Sequence, residues 1–485
     1  MHVRHLAVTS MLAGALAVLA APGASSIAFG QAQPIRSKPV DLSIDSGVHN
    51  HSGSGRAVVW TETIEASGAG WVRLYFGEVE LDPDLTAVDS SVIRIMSLED
   101  GAIQHLNAWT VREWNHSSAY FNGSAVSVEL IARPGSRANR VVISRIDVGI
   151  DDDLMYPESI CGATDDRMLS TDPRSARAVP IGCSAWIFDD AHHQFITAGH
   201  CSSSSLQTIQ FNVPLSNGNG QIQHPGPEDQ YSVDVSSKQS QSGSVGQDWG
   251  YFGVFRNTET GLSAYQVQGE FHTLAATPPP VNGQTIRITG YGTTGGGVPR
   301  EWNQVQKTHT GEFRTFTGST VRYHTDTSGG NSGSCVLNDD TGEAIGVHTH
   351  GGCSSDPNSS NQGTGSNHSG WQSALTTPRG VCAPFGLTVP PLTAGQQATL
   401  EASGTSPGLT VYFIYSTQGT GETLVRPLGV TLGLADPSLG GSAVADGGGI
   451  ARLTRVVPPA ARGRTLTIQA AEAGRTSQIV TRLVE

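Results

Sequence analysis

The chain has 485 residues, enough for about three domains. Acidic residues outnumber basic ones, 42 to 29, and the formal net charge of −13 argues against nucleic acid or an anionic membrane as the main partner, since both select basic patches. Only 15% of residues are charged while glycine numbers 59, a composition of short strands joined by many turns rather than of helical bundles.

In chain order, Arg4 and His5 precede an apolar run from Leu6 to Ala21 and then small residues as far as Ala32. This pattern predicts an export signal within residues 1–32, cut after Ala24 or after Ala32. The run is short for a membrane span and no second one follows, so no stable span is expected. Period-two stretches follow, among them Trp71–Phe76, Val92–Ile95, Val126–Ile131 and Val141–Ser144, and predict a jelly-roll-like β-sandwich over 45–152. Asp151-Asp152-Asp153 reads as a solvated linker, because no calcium-loop spacing follows it.

The middle of the chain carries the chemistry. A β-like run, Phe195-Ile196-Thr197-Ala198, ends in Gly199-His200-Cys201, and further on comes Gly329-Gly330-Asn331-Ser332-Gly333-Ser334. A serine hydroxyl is a poor nucleophile until a base takes its proton, and the oxyanion it creates needs backbone donors. A glycine-dense turn supplies both an exposed hydroxyl and unobstructed N–H groups. Either motif alone is weak, but histidine first and serine second is a strong pairing. From Pro384 to Glu485 a cysteine-free segment again alternates, at 398–402, 410–415 and 466–470, and predicts an Ig-like sandwich over 386–485 behind a proline-bearing linker, 383–395.

On these motifs the chain resembles the chymotrypsin-like, or trypsin-like, serine endopeptidases. The resemblance covers residues 158–382 and leaves the flanks outside. Within that family the G-N-S-G-S box and the later Gly346-Val347-His348-Thr349-His350-Gly351 segment are similar to those of bacterial glutamyl endopeptidases. The resemblance implies an all-β protein with a two-barrel protease domain between two β-sandwiches. It also implies a triad of His200, Ser332 and an intervening aspartate that fixes the imidazole tautomer. Asp248 leads, because an aromatic run from Trp249 to Phe255 follows it; Asp234 is the runner-up. The Trp and glycines after Asp248 depart from the family's usual aliphatics.

The backbone N–H groups of Gly330 and Ser332 are expected to form the oxyanion hole. Asn331 stands where many relatives keep an aspartate that pairs with a new N-terminal amine, so activation by that ion pair is not expected. The substrate pocket maps onto Asp326, Thr327, His348 and His350. Thr327 and His348 match the residues that receive a glutamate side chain, whereas Asp326 stands where trypsin-like enzymes bind Lys or Arg. Two readings follow: either Asp326 points away and the preference is acidic, or it faces the pocket and the preference is basic. Six cysteines in an exported chain suggest three disulfides. The resemblance pairs Cys183 with Cys201 and Cys335 with Cys353, leaving Cys161 with Cys382.

No cofactor and no metal is expected, since His348 and His350 lack a third ligand of suitable type. The chain thus reads as a secreted serine endopeptidase acting on proteins or peptides, with flanks that bind a surface or the substrate. The alternative from another class is a non-catalytic binding protein that keeps a protease-like fold.

Overall fold

The structure is a computed structural model that describes residues 3–7, 29–82, 90–150, 158–295, 297–406, 408–446 and 449–485. Most of the expected export signal, including the position after Ala24, and the Asp151–Asp153 linker lie outside the described residues. The protein is all-β, as expected, with two six-stranded barrels in the middle of the chain and sheets on either side.

The first barrel closes in the order Ser175–Pro180, Cys183–Ile187, Phe195–Thr197, Trp249–Val254, Gln230–Gln241, Leu206–Gln210 and back to the start. Alternate residues turn inward, so Ala176, Ala178, Ala185, Ile187, Phe195, Ile209, Val233 and Phe252 fill its interior. The second ring runs Lys307–Thr317, Thr285–Gly290, Cys335–Asn338, Glu343–Gly351, Asn361–Gly365 and Thr320–His324, and it closes because the last strand pairs with the first. Ile286, Ile288, Phe313, Val321, Val336 and Ile345 form its core. Between the barrels, Trp186, Trp249 and Trp371 share one buried cluster; Trp371 is carried by the helix Ser369–Thr376.

The N-terminal sandwich stacks a sheet containing Ala57–Ser67, Ala125–Ala132, Val92–Ser97 and Ile103–Leu106 on another containing Ser37–Asp45, Arg140–Gly149 and Trp71–Glu80. The strand Ser37–Asp45 therefore lies upstream of the expected boundary at 45. Val3–Ala7, within the expected signal, pairs in parallel with Thr63–Ser67. In the C-terminal sandwich Gly386–Thr388 pairs with Glu401–Ser403, so part of the expected linker is a strand.

Neither flank stands apart. Arg73, wholly buried, donates to Tyr120 and to Gln207 of the first barrel. The Tyr120 ring stacks on His224, and Gln230 both donates to and accepts from the Tyr120 backbone. Arg475 of the C-terminal sandwich donates to the carbonyls of Gly380 and Ala383. Trp109 of the N-terminal sandwich donates to the hydroxyl of Tyr412.

The disulfides differ from the expected set. Cys183 bonds to Cys201, but Cys161 bonds to Cys353, with Cα atoms 4.8 Å apart. Cys335 and Cys382 are buried free thiols, so the expected 335–353 and 161–382 bridges do not form. The cause is local. Glu158–Ser159 pairs with Thr327–Ser328, and Ser159 Oγ accepts from the Cys353 amide, which brings the following Cys161 to Cys353. Cys335 lies within a strand whose neighbours are Trp186 and Val347, and Cys382 lies beneath Tyr251. Burial pushes both thiols well above the usual range, so neither is a reactive thiolate.

Candidate active site

Strand register brings the histidine and the aspartate together. Thr197 pairs with Gly250, so the turn after one strand and the residue before the other meet at one end of the first barrel. His200 stands on the 3-10 turn Gly199–Cys201 and Asp248 directly precedes Trp249. Asp248 Oδ2 lies 2.6 Å from His200 Nδ1, and Oδ1 accepts from the His200 backbone N–H at 3.0 Å. The Asp248 carboxylate is 1% exposed and the His200 ring 20%, the arrangement of a buried orienting anion beneath a reachable base. Asp234 is elsewhere: its carboxylate accepts from Ser236 and from the Val381 amide.

The unusual glycines after Asp248 have a steric origin. A Cβ at Gly250 would come within 3.1 Å of Ser202 and Thr197, and one at Gly253 within 2.4 Å of Val381. At Gly253 there is no room for a side chain, and at Gly250 one fits only if its neighbours give by a few tenths of an ångström.

Ser332 sits on the turn between Thr327–Ser328 and Cys335–Asn338. Gly330 and Gly333 adopt φ of 102° and 93°, left-handed values that glycine adopts without strain. A Cβ at Gly333 would meet the Ser184 carbonyl at 2.0 Å, so the turn is pressed against the first barrel. Asn331 Oδ1 accepts from the Ser328 amide and from Arg167, and Arg167 is clamped by Asp165. A guanidinium thus steadies the loop from outside.

The cleft contains the chain's own N-terminal segment. Phe29 and Gly30 pair antiparallel with Gly351 and His350. The Gln31 carbonyl accepts from Gly330 N at 2.5 Å and from Ser332 N at 3.4 Å, the two donors expected for the oxyanion hole. Ser332 Oγ accepts from Gln31 N at 2.9 Å and donates to the Thr349 carbonyl at 3.0 Å. Among the described residues, His200 Nε2 has no hydrogen-bond partner.

The Gln31 side chain enters a pocket and its Oε1 meets His348 Nε2 at 2.5 Å, while Tyr323 Oη meets His348 Nδ1 at 2.6 Å. Burial, with His350 and His200 nearby, pushes His348 down to about 3, so the ring is neutral near pH 7. With Tyr323 donating to Nδ1, the remaining proton sits on Nε2 and points at Gln31 Oε1. Asp326 is turned away: its two oxygens accept from the amides of Cys161 and Asp166 at 2.8 and 3.0 Å. Thr327 Oγ1 accepts from Asn361, whose side chain also ties Ser159 and the Cys353 amide. His350 is not in the pocket floor; its Nδ1 meets Thr349 Oγ1, and its ring stands 6.1 Å from that of His200.

Sequence reasoning missed Gln31, Tyr323, Arg167 and Asn361. Gln31 read as the tail of an export signal, and no motif in the sequence singled out Tyr323, Asn361 or Arg167.

Two six-stranded barrels with a histidine, an aspartate and a serine at their junction define the class of chymotrypsin-like serine peptidase domains. Residues 183–347 match the family of trypsin-like peptidase domains, and this middle region of the chain is such a domain. Similar solved structures include a Glu endopeptidase in complex with MPD, 17% identical with a TM-score of 0.34, covering 45% of this chain and 98% of that one. A thermostable serine protease, AL20, from an extremophilic microorganism is 17% identical, with a TM-score of 0.32 and coverages of 42% and 98%. Neuropsin, a serine protease of mouse brain, is 15% identical, with a TM-score of 0.31 and coverages of 44% and 100%. No curated protein matches the chain.

Proposed function

We propose that the protein is an exported serine endopeptidase that cleaves after a side chain of glutamate or glutamine length. Ser332 would attack the substrate carbonyl, His200 would take and return the proton, and Asp248 would hold the imidazole tautomer and stabilise its positive charge. The N–H groups of Gly330 and Ser332 would carry the oxyanion. The observation that carries this reading is a peptide carbonyl held by those two N–H groups beside the His200–Asp248 pair. The Cys183–Cys201 and Cys161–Cys353 bridges support an oxidising compartment.

The pocket bears on specificity. A basic preference would need an anion facing the substrate, and the Asp326 carboxylate is committed to two backbone amides. A neutral His348 offers an N–H donor but no positive charge. Glutamine satisfies that donor without burying charge, whereas glutamate must bring a proton with it or raise His348's affinity for one. Glutamate cleavage should therefore gain on glutamine cleavage as pH falls, and aspartate, one methylene shorter, should be poor. Digestion of a proteome-derived peptide library, with the cut sites sequenced, tests this. Cuts dominated by Lys or Arg would end the pocket assignment. A fluorophosphonate probe that fails to label Ser332 in the leader-free protein would end the peptidase reading.

A further inference from the structure

Residues 29–35 are threaded through the cleft in the direction and depth of a substrate. Upstream of Gln31, Phe29 and Gly30 extend the strand Glu343–Gly351 by antiparallel pairing, and Gly30 lies against the His200 ring. At Gln31 the side chain fills the pocket, 1% exposed, and the carbonyl is held by Gly330 N and Ser332 N. Downstream, Gln33 N donates to the Gly182 carbonyl at 2.7 Å, Gln304 Nε2 donates to the Gln33 carbonyl, and Ile35 N donates to the Pro180 carbonyl. Ile35 is then buried with Trp71, Tyr120, Val179 and Ile222, at the seam between the N-terminal sandwich and the first barrel. A segment held on both sides of one peptide bond, with that bond's carbonyl between two N–H donors, is bound as a substrate is bound.

We infer that Gln31–Ala32 is a self-cleavage site, cut in cis by Ser332, and that the cut opens the cleft to other substrates. This rests on the peptidase reading. The step needs Ser332 to rotate about χ1 from the Thr349 carbonyl toward His200 Nε2, which has no competing partner among the described residues. Ser332 Oγ then bonds to the Gln31 carbonyl carbon as its proton passes to His200 Nε2. The C–N bond to Ala32 breaks, and His200 returns that proton to the Ala32 nitrogen, leaving an amine and a Gln31–Ser332 ester. Water hydrolyses the ester, giving the Gln31 carboxylate and restoring the Ser332 hydroxyl. The two fragments differ in how they are held. Residues 33–35 stay anchored by the fold, whereas the piece ending at Gln31, once the export signal with its Val3–Ala7 strand has been cut off after Ala24, keeps only the strand pairing at Phe29–Gly30 and the pocket, and it leaves.

Because the scissile bond is buried in the chain's own cleft, a second copy has no access to it. The test compares the first residue of the full-length secreted protein, by N-terminal sequencing and intact mass, in wild type and in Ser332→Ala. Wild type should begin at Ala32, and Ser332→Ala should retain residues upstream of it. Gln31→Arg, with the triad intact, should also keep the leader, and its activity on an added peptide should be at least tenfold lower. Purified Ser332→Ala mixed with active wild type should stay untrimmed for hours. Identical N-termini in wild type and Ser332→Ala would overturn the inference, as would wild-type trimming of Gln31→Arg. Rapid trimming of Ser332→Ala by added enzyme would refute cleavage in cis. Fluorophosphonate labelling separates the two levels: a labelled wild type with unchanged N-terminus leaves the peptidase reading standing and removes only self-cleavage. An unlabelled, leader-free protein removes both.

Discussion

Asp248→Asn is the sharpest test of the catalytic assignment because the geometry dictates which way the new amide must point. Asp248 Oδ1 accepts from the His200 backbone N–H and Oδ2 faces His200 Nδ1, at 3.0 and 2.6 Å. A backbone N–H can only donate, so the asparagine oxygen must stay on it, and the asparagine NH2 is then turned to Nδ1. That forces Nδ1 to accept, moves the ring proton to Nε2, and leaves nothing at Nε2 to take a proton from Ser332. The shape of the site is otherwise kept, so the loss is chemical rather than structural. A wrong tautomer costs about four orders of magnitude in kcat in the serine-protease template, which at 1.36 kcal/mol per tenfold is about 5 kcal/mol of lost transition-state stabilisation. The assay is kcat and KM on a glutamine- or glutamate-containing peptide, with thermal unfolding alongside. kcat should fall about 10³- to 10⁴-fold, KM should change by less than about threefold, and Tm should move by only a few degrees. Activity within tenfold of wild type, with Asp234→Asn inactive, would refute the assignment; Asp234→Asn is expected to lose stability instead, since its carboxylate holds the Val381 amide.

Three further outcomes follow from the same contacts. Tyr323→Phe removes the donor that biases His348 toward the Nε2–H form, so KM for a glutamine substrate should rise by about three- to tenfold with kcat little changed, a loss of about 1 kcal/mol; an unchanged KM would show that the tautomer is set elsewhere. Glu113, buried between domains near Glu472 and Asp234, is pushed up to about 8, chiefly by burial. Between the ordinary value of 4.5 and about 8 the folded state holds a proton that the unfolded state has released, so stability should fall as pH rises through that window. At about 1.36 kcal/mol per unit the penalty is bounded by about 5 kcal/mol, and Glu113→Gln should flatten the dependence of Tm on pH between 5 and 8.5; parallel curves would contradict this. Non-reducing peptide mapping should recover 183–201 and 161–353 and two thiols titratable only after denaturation. Opening the 18-residue loop of the first should cost on the order of 3 kcal/mol, and a recovered 335–353 peptide would contradict the described bridges.

What the sequence by itself determined is what short-range patterning can carry. Period-two alternation and abundant glycine specified strands and an all-β class, because inward and outward faces alternate residue by residue. His200 and Ser332 were legible because their chemistry depends on immediate neighbours, a turn after a strand and glycines around a nucleophile. Asp248 could be ranked first, since the strand after it is written in the aromatic run. Tertiary structure alone decided the rest. Which cysteines meet depended on the pairing of Glu158–Ser159 with Thr327–Ser328, a contact between segments far apart in the chain. Whether Asp326 faced a substrate depended on where the amides of Cys161 and Asp166 came to rest. The protonation of His348 follows from burial, a property of the packed whole rather than of the motif around it. The position of Gln31 in the cleft is the clearest case. Nothing local marks that residue; the burial of Ile35 at the seam between the first barrel and the N-terminal sandwich, the Gln33–Gly182 hydrogen bond and the pairing of Phe29–Gly30 with the second barrel together carry the chain across Ser332.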